Sequence, residues 1–192
     1  PWSDINSTRT VRAIAVAPSN PDVIYFSNTE RMLRTTNDGG TWTTVSDALP
    51  DNAITAIAVD PTDPLHVFVT LSGYTAGNKV FESTDGGANW SNISSNLPNA
   101  PANTIVYQAG TDDGLYVGTD VGVFYTDNSL SNWQPFGQGL PKVIVNELEI
   151  NYTSGRLRAA TYGRGLWETD LFEPVAAPPT AAFTWNAEGL CA

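Results

Sequence analysis

Cleaving a glycosidic bond takes two carboxylates held about 5–10 Å apart. Glu30, Asp51 and Asp120 are the acids placed in connections where such a pair could face a ligand. Cleaving an acidic sugar would want an arginine cluster for its carboxylate together with a Tyr–Glu pair. The seven arginines divide between positions 9–34 and 156–164, so no cluster is evident. His66 is the only histidine, which leaves no supply for a histidine-based metal site or a Ser-His-Asp triad, and it reads as a strand position. Asp112 and Asp113, with Asp120, could bind calcium, but their spacing matches no familiar loop and a solvated turn is the plainer reading. Cys191 is a lone thiol, either half of a disulfide completed outside this sequence or a free buried cysteine. No metal set and no cofactor is expected. Non-covalent recognition has better material. Tyr74 and Asn78 in Ser72–Lys79, and Tyr162 and Arg164 near Thr161–Gly165, offer aromatic faces beside amide and guanidinium donors. That combination suits a sugar or a peptide. Arg164, flanked by glycines, has a second reading as a pin for the unit that carries it.

The element that positions these residues is an eight-residue box. It stands as Ser83–Trp90 (S-T-D-G-G-A-N-W), as Thr35–Trp42 (T-T-N-D-G-G-T-W) and, worn, as Thr126–Trp133 (T-D-N-S-L-S-N-W). Aligned on Trp42, Trp90 and Trp133, the first position is Thr35, Ser83 or Thr126, and the third is Asn37, Asp85 or Asn128. Gly39 and Gly87 share the fifth position, where the third copy has Leu130. A hydroxyl and a carboxylate or amide two residues on can accept from the N–H groups of a tight turn, and glycine supplies the positive φ. The tryptophan is expected to lie over its own turn. Asp85 therefore reads as a structural acceptor rather than a catalytic acid.

The repeat extends past the box. Leu-Pro pairs at 49–50, 97–98 and 140–141 each follow a box tryptophan at a constant interval, and Ile57, Ile105 or Leu148 follows each proline at the same interval. Short apolar segments precede each box, and a fourth, Leu166–Thr169, has none after it. A period in the forties with about four short strands per unit is the mark of a β-propeller blade. The fold class is thus all-β: four-stranded antiparallel blades, about four of them, over residues 1–173. Inner strands rich in small and β-branched residues, such as Ala13–Ala17 and Ala56–Val59, would surround the axis. Trp2–Ile5 resembles the start of an outer strand. It either completes the fourth blade of a small closed ring or belongs to a larger ring, of which these blades are the C-terminal part; the larger ring is the favoured reading.

The box resembles the Asp-box of the bacterial neuraminidase repeat, S-x-D-x-G-x-T-W, although only the middle copy has Asp in the third position. Residues 1–173 resemble such propellers, including those related to sortilin and to the xyloglucanases. Residues 174–180 read as a proline-rich linker. Residues 181–192, with A-A-F-T-W and then Cys191, resemble the opening of a polycystic-kidney-disease-type immunoglobulin-like domain. Thr161–Glu168 (T-Y-G-R-G-L-W-E) resembles the last blade of propellers in Bacteroidetes-like surface proteins. What that resemblance implies is a piece of a longer secreted protein with further domains, exported by type IX secretion. The family holds enzymes, receptors and spacers alike, so fold alone does not choose among them.

Composition limits the partners. The net charge is −11 and Lys79 and Lys142 are the only lysines, which disfavours nucleic acid and anionic membrane surfaces. No apolar run approaches a membrane span. Two function classes remain: an extracellular, non-catalytic module for adhesion or for binding a glycan or protein, and a fragment of a glycoside hydrolase. The first is the expectation, because no convincing acid pair, metal set or nucleophile–base arrangement is present.

Overall fold

The computed structural model describes residues 10–28 and 31–173. The possible outer strand at Trp2–Ile5, Glu30, the linker at 174–180, the domain start at 181–192 and Cys191 lie outside the described residues. Fifteen strands and no helix make up the described chain. They form four antiparallel sheets in strict chain order. The first is β1 (Ala13–Val16), β2 (Ile24–Ser27), β3 (Met32–Thr35) and β4 (Thr43–Thr44). The second is β5 (Ile54–Val59), β6 (Val67–Leu71), β7 (Val80–Ser83) and β8 (Ser91–Asn92). The third is β9 (Ala102–Tyr107), β10 (Leu115–Thr119), β11 (Gly122–Thr126) and β12 (Gln134–Phe136). The last has three strands, β13 (Val145–Asn151), β14 (Arg156–Thr161) and β15 (Gly165–Asp170).

These sheets are the blades of a β-propeller. The first strands stand side by side, β1 against β5, β5 against β9, and β9 against β13. A space of about 400 Å³ between them is lined from all four, by Val16, Ile57, Ile105 and Tyr152 among others. It marks the axis. Among the described residues no comparable packing brings β13 back to β1, so the four blades form an arc.

The second and third blades are thin sheets covered on both faces, and the sequence reflects that. Central strands Val67–Leu71 (VFVTL) and Leu115–Thr119 (LYVGT) are buried at every position, giving a run of apolar and β-branched residues rather than an alternation. The core is accordingly divided into three layers, one per blade junction. Tyr25, Met32 and Val45 meet Val67, Val69 and Phe81 between the first two blades. Phe68 and Val80 meet Ile105, Leu115 and Val117 between the next two. Tyr116, Val123 and Tyr125 meet Leu148, Leu157 and Ala159 at the last.

The box tryptophans join these layers. Trp90 Nε1 donates to the carbonyl of Val45, in the preceding blade, at 2.7 Å. Trp133 Nε1 donates to the carbonyl of Ile93 in the same way, also at 2.7 Å. Val45 and Ile93 occupy one register, three residues after Trp42 and Trp90. Each ring therefore reaches across to the blade before it, where the sequence suggested a lid over its own turn. The reason is steric as well as polar: at Gly87 a Cβ would stand 2.7 Å from the Val45 Cβ, so the box turn itself presses on that blade. Trp42 packs edge-on against Phe26, with ring centres 4.8 Å apart, and its indole nitrogen is buried without a partner. Among the described residues the fourth blade has no such ring. Instead Phe172 stacks on Tyr125 at 4.2 Å, and its N–H donates to the Tyr116 hydroxyl.

A second link runs near the axis and left no signal that periodicity could detect. The inner strands β5, β9 and β13 each carry a register shift, at Thr55, Asn103 and Asn146. The displaced side chain turns to the next blade: Thr55 Oγ1 donates to the Ala102 carbonyl at 2.6 Å, and Asn103 Nδ2 to the Val145 carbonyl at 3.2 Å. A bulge of this kind re-aims a side chain out of the pleat.

Trp133 is 2% exposed. Trp133→Ala is expected to cost about 3–5 kcal/mol in denaturant unfolding, as for other buried aromatic deletions. Trp133→Phe keeps most of the packing, strands the Ile93 carbonyl, and should cost about 1–3 kcal/mol. A midpoint unchanged by Trp133→Ala would refute the clamp.

Candidate ligand-binding face

The strand order places the β6–β7, β10–β11 and β14–β15 turns, together with the connections between blades, at one end of the sheets. On the second blade this end carries Tyr74, 69% exposed, at the tip of the 72–79 loop. The loop is braced from beneath. Lys79 is buried, its Nζ donating to the Gly73 carbonyl at 2.7 Å, and burial holds its ammonium below the usual lysine range. Asn52 Nδ2 donates to the Ser72 carbonyl, and Gly73 adopts φ of 94° directly over that amide.

Tyr74 is joined to the third blade. Its hydroxyl donates to Asp120 Oδ2 at 3.3 Å, while Asp120 Oδ1 accepts from Asn103 Nδ2 at 2.9 Å. Asn103 is the bulge residue that also bonds to Val145, so a polar chain runs from an exposed phenol inward to the fourth blade. Close by, Thr104 Oγ1 donates to Glu147 Oε1 at 3.1 Å. Asn78 is half-buried in the same loop, and its side-chain amide makes no hydrogen bond. Tyr162, 70% exposed, and Arg164 share the β14–β15 turn of the fourth blade. Trp167 Nε1 donates to the Arg164 carbonyl, so it is the backbone of Arg164 that braces this turn, while its guanidinium has no acidic partner among the described residues. No hydrogen bond or ion pair joins Tyr162 or Arg164 to Tyr74 or Asn78.

The acids singled out from sequence are spread apart. Asp51 lines a polar cleft of about 590 Å³ between the first two blades, with Arg31, Asp47 and Asn52. Asp120 has both oxygens engaged as described, and nothing bonds it to Asp51. The suggested grouping of Asp112 and Asp113 with Asp120 does not form, because strand β10 separates them: Asp120 follows it and the other two precede it. Asp112 and Asp113 accept instead from Asn128 Nδ2, at 2.8 and 2.9 Å. His66 falls just ahead of β6 rather than within it, facing carboxylates.

The boxes lie at the opposite end. Ser83 Oγ donates to Asp85 Oδ1 and accepts from the Gly87 N–H, while Asp85 Oδ1 accepts from the Asn89 N–H at 2.8 Å. Thr35, Asn37, Gly39 and Thr41 reproduce the pattern, with Asn37 Oδ1 taking the Thr41 N–H at 2.8 Å. The third copy closes differently. Asn128 turns away to Asp112 and Asp113, and Asp127 takes over, accepting from the Ser129 N–H and the Tyr125 hydroxyl. Leu130 at the fifth position has no positive φ, so Thr126 and Asn128 are not bonded as their counterparts are, although Trp133 keeps its place.

The fold is that of a β-propeller, and comparison with known proteins agrees. No family model matches the chain. It is 28% identical over 159 residues to a xyloglucanase of Hypocrea jecorina, covering 68% of this chain and 19% of the enzyme. It is 28% identical over 141 residues to the photosystem II assembly lipoprotein Ycf48 of Synechococcus sp., covering 70% of this chain and 39% of the lipoprotein. Among solved structures, the GH74 xyloglucanase of Xanthomonas campestris superposes with a TM-score of 0.64 at 16% identity, over 88% of this chain and 31% of the enzyme. The extracellular domain of a putative one-component system from B. thetaiotaomicron gives a TM-score of 0.64 at 17% identity, over 93% of this chain and 22% of that domain. The chain thus spans a minor part of each of these proteins.

Asn37 Oδ1 and Asp85 Oδ1 make the same two bonds to the turn, so charge is not what the turn itself requires, and Asp85 adds one further bond, its Oδ2 accepting from Asn89 Nδ2 at 2.7 Å. Asp85→Asn should keep a melting midpoint near that of the wild type at pH 7, and Asp85→Ala should fall clearly below both. Acid distinguishes the first two. Hydrogen bonds from the Asn89 side chain and N–H, and from Ser83, lower the Asp85 carboxyl from 3.8 to about 2. The folded state then binds fewer protons than the unfolded chain in that window, so the contribution is complete above about 4 and is lost as pH falls toward about 2. Thermal melts from pH 5 to 2 should show a shallower decline for Asp85→Asn than for the wild type. Identical declines would exclude this role for Asp85.

Proposed function

We propose that this chain is part of a non-catalytic, extracellular β-propeller module that binds a neutral glycan or a protein through the loop face of Tyr74, Asn78, Tyr162 and Arg164. The observation that carries the reading is the pairing of an exposed Tyr74 ring with a fixed Asp120 carboxylate and the unspent amide of Asn78. Aromatic faces stack on the apolar side of a sugar ring, and fixed acceptors beside them meet its hydroxyls. The net charge of −11 favours a neutral glycan over a sialylated or sulfated one. Membership of a larger ring and a larger secreted polypeptide is part of the same proposal, supported by the arc of four blades and the extracellular domains among similar structures.

The similarity to xyloglucanases supports a second reading, in which the chain is a piece of a glycoside hydrolase. One pair of assays separates the two. Xyloglucan oligosaccharides titrated into the full chain are expected to bind without release of reducing sugar, and Tyr74→Ala is expected to weaken binding about tenfold, the scale of one aromatic contact. Sugar release abolished by Asp51→Asn or Asp120→Asn would establish the hydrolase reading instead. Absence of binding across a neutral-glycan array would leave a protein ligand as the surviving form of the proposal, to be sought with the same Tyr74→Ala control.

A further inference from the structure

On the face opposite these loops, the single histidine stands among acids drawn from two blades. His66 Nδ1 is 3.4 Å from Asp60 Oδ2 and 3.7 Å from Asp113 Oδ1, and the three atoms lie within 4.8 Å of one another. The Tyr107 hydroxyl lies 3.3 Å from Asp60 Oδ2 and 3.0 Å from Asp113 Oδ1, the same two oxygens. Four donor atoms from the second and third blades thus converge on one point.

The outward-facing atoms of each group are already held. Asp60 Oδ1 accepts from the Thr62 N–H at 2.7 Å and from its hydroxyl at 2.8 Å. Asp113 Oδ2 accepts from Asn128 Nδ2 at 2.9 Å. His66 Nε2 is 2.8 Å from Glu82 Oε1, and since a carboxylate only accepts, this nitrogen carries the proton. That bond fixes the tautomer of a neutral ring and aims the bare Nδ1 lone pair at two carboxylate oxygens. That lone pair and the two oxygens repel one another unless a cation, either a proton or a metal ion, stands between them. A proton does less for the charge. Asp60, Asp113 and Glu82 have no lysine or arginine partner among the described residues, so even an imidazolium leaves an excess of two negative charges in a site whose His66 and Asp60 side chains are 12% exposed. A ring held by a carboxylate on its far nitrogen is also how metal-bound imidazoles are oriented.

We propose that Asp60, His66 and Asp113, with Tyr107 beside them, bind a divalent transition-metal ion of the Zn²⁺ type that staples the second blade to the third. Tetrahedral ligands about 2.1 Å from zinc stand about 3.4 Å apart, close to the separations present. One imidazole nitrogen with carboxylate oxygens favours zinc over calcium or magnesium, which prefer all-oxygen sites. A cleft of about 290 Å³ reaches Asp113 and the orienting Glu82. The sequence hides this site because the donors beside the single histidine belong to two hairpins brought together only by blade packing.

The sole histidine makes the test direct. The full chain, stripped with chelator, is titrated with ZnCl₂ while the His66 imidazole resonances are followed by NMR. The expected result is saturation at one equivalent, with no comparable shift on adding CaCl₂. Glu82→Gln should weaken binding about 10–100-fold, as loss of an orienting partner does. Asp113→Asn should weaken it at least as much, and Asp112→Asn should not change it. The resonances of the wild-type chain need no variant to fold. If they stay unmoved at millimolar Zn²⁺, or if Asp113→Asn binds as tightly as the wild type, the proposal is overturned.

Discussion

The structure depends on one constraint: a blade of this kind cannot bury both of its faces by itself. Strands such as Val67–Leu71, apolar but for Thr70, are buried throughout, so each such sheet needs a neighbour on either side. The indole-to-carbonyl bonds from Trp90 to Val45 and from Trp133 to Ile93 set how each outer edge meets the blade before it. The bulge contacts from Thr55 to Ala102 and from Asn103 to Val145 do the same near the axis. Blades are therefore fastened at two radii, and stability is distributed over nearest-neighbour interfaces as in other repeat proteins.

The two faces follow from that fastening. At the box end, turns are tightened by side chain-to-backbone bonds and press on adjacent blades; Arg34 Nη1, for instance, donates to the Gly86 carbonyl of the next blade at 2.8 Å. At the other end, loops are freed from this duty and project side chains such as Tyr74 and Tyr162 into solvent. A rigid frame bearing anchored loops with projecting side chains is a general solution for recognition. Asn103 ties the two ideas together, because one amide both links blades and fixes the acceptor beside Tyr74.

Much of this frame was legible in the sequence. The box, the Leu-Pro pairs and the apolar triplets gave blade number and strand positions to within a few residues, since each repeats where the same physical need repeats. What escaped was whatever depends on one blade meeting another. The direction of Trp90 and Trp133 could not be read from a turn considered alone. The bulge at Thr55, Asn103 and Asn146 has no fixed residue type, only a fixed place. The third box kept its tryptophan while Asn128 changed partners, because Leu130 cannot take glycine's conformation. His66 sits among acids that no local window unites. For the loop face, sequence could nominate Tyr74, Asn78, Tyr162 and Arg164, but not that Asp120 would stand against the first of them.

Native-state hydrogen exchange on the wild-type chain and Trp133→Ala tests the central claim most directly. If the ring fastens blade to blade, the substitution should lower protection in β7 and β8 of the second blade together with β10 and β11 of the third, and leave β14 less affected. Loss of protection confined to the turn around Trp133, with β7 and β8 unchanged, would contradict the account.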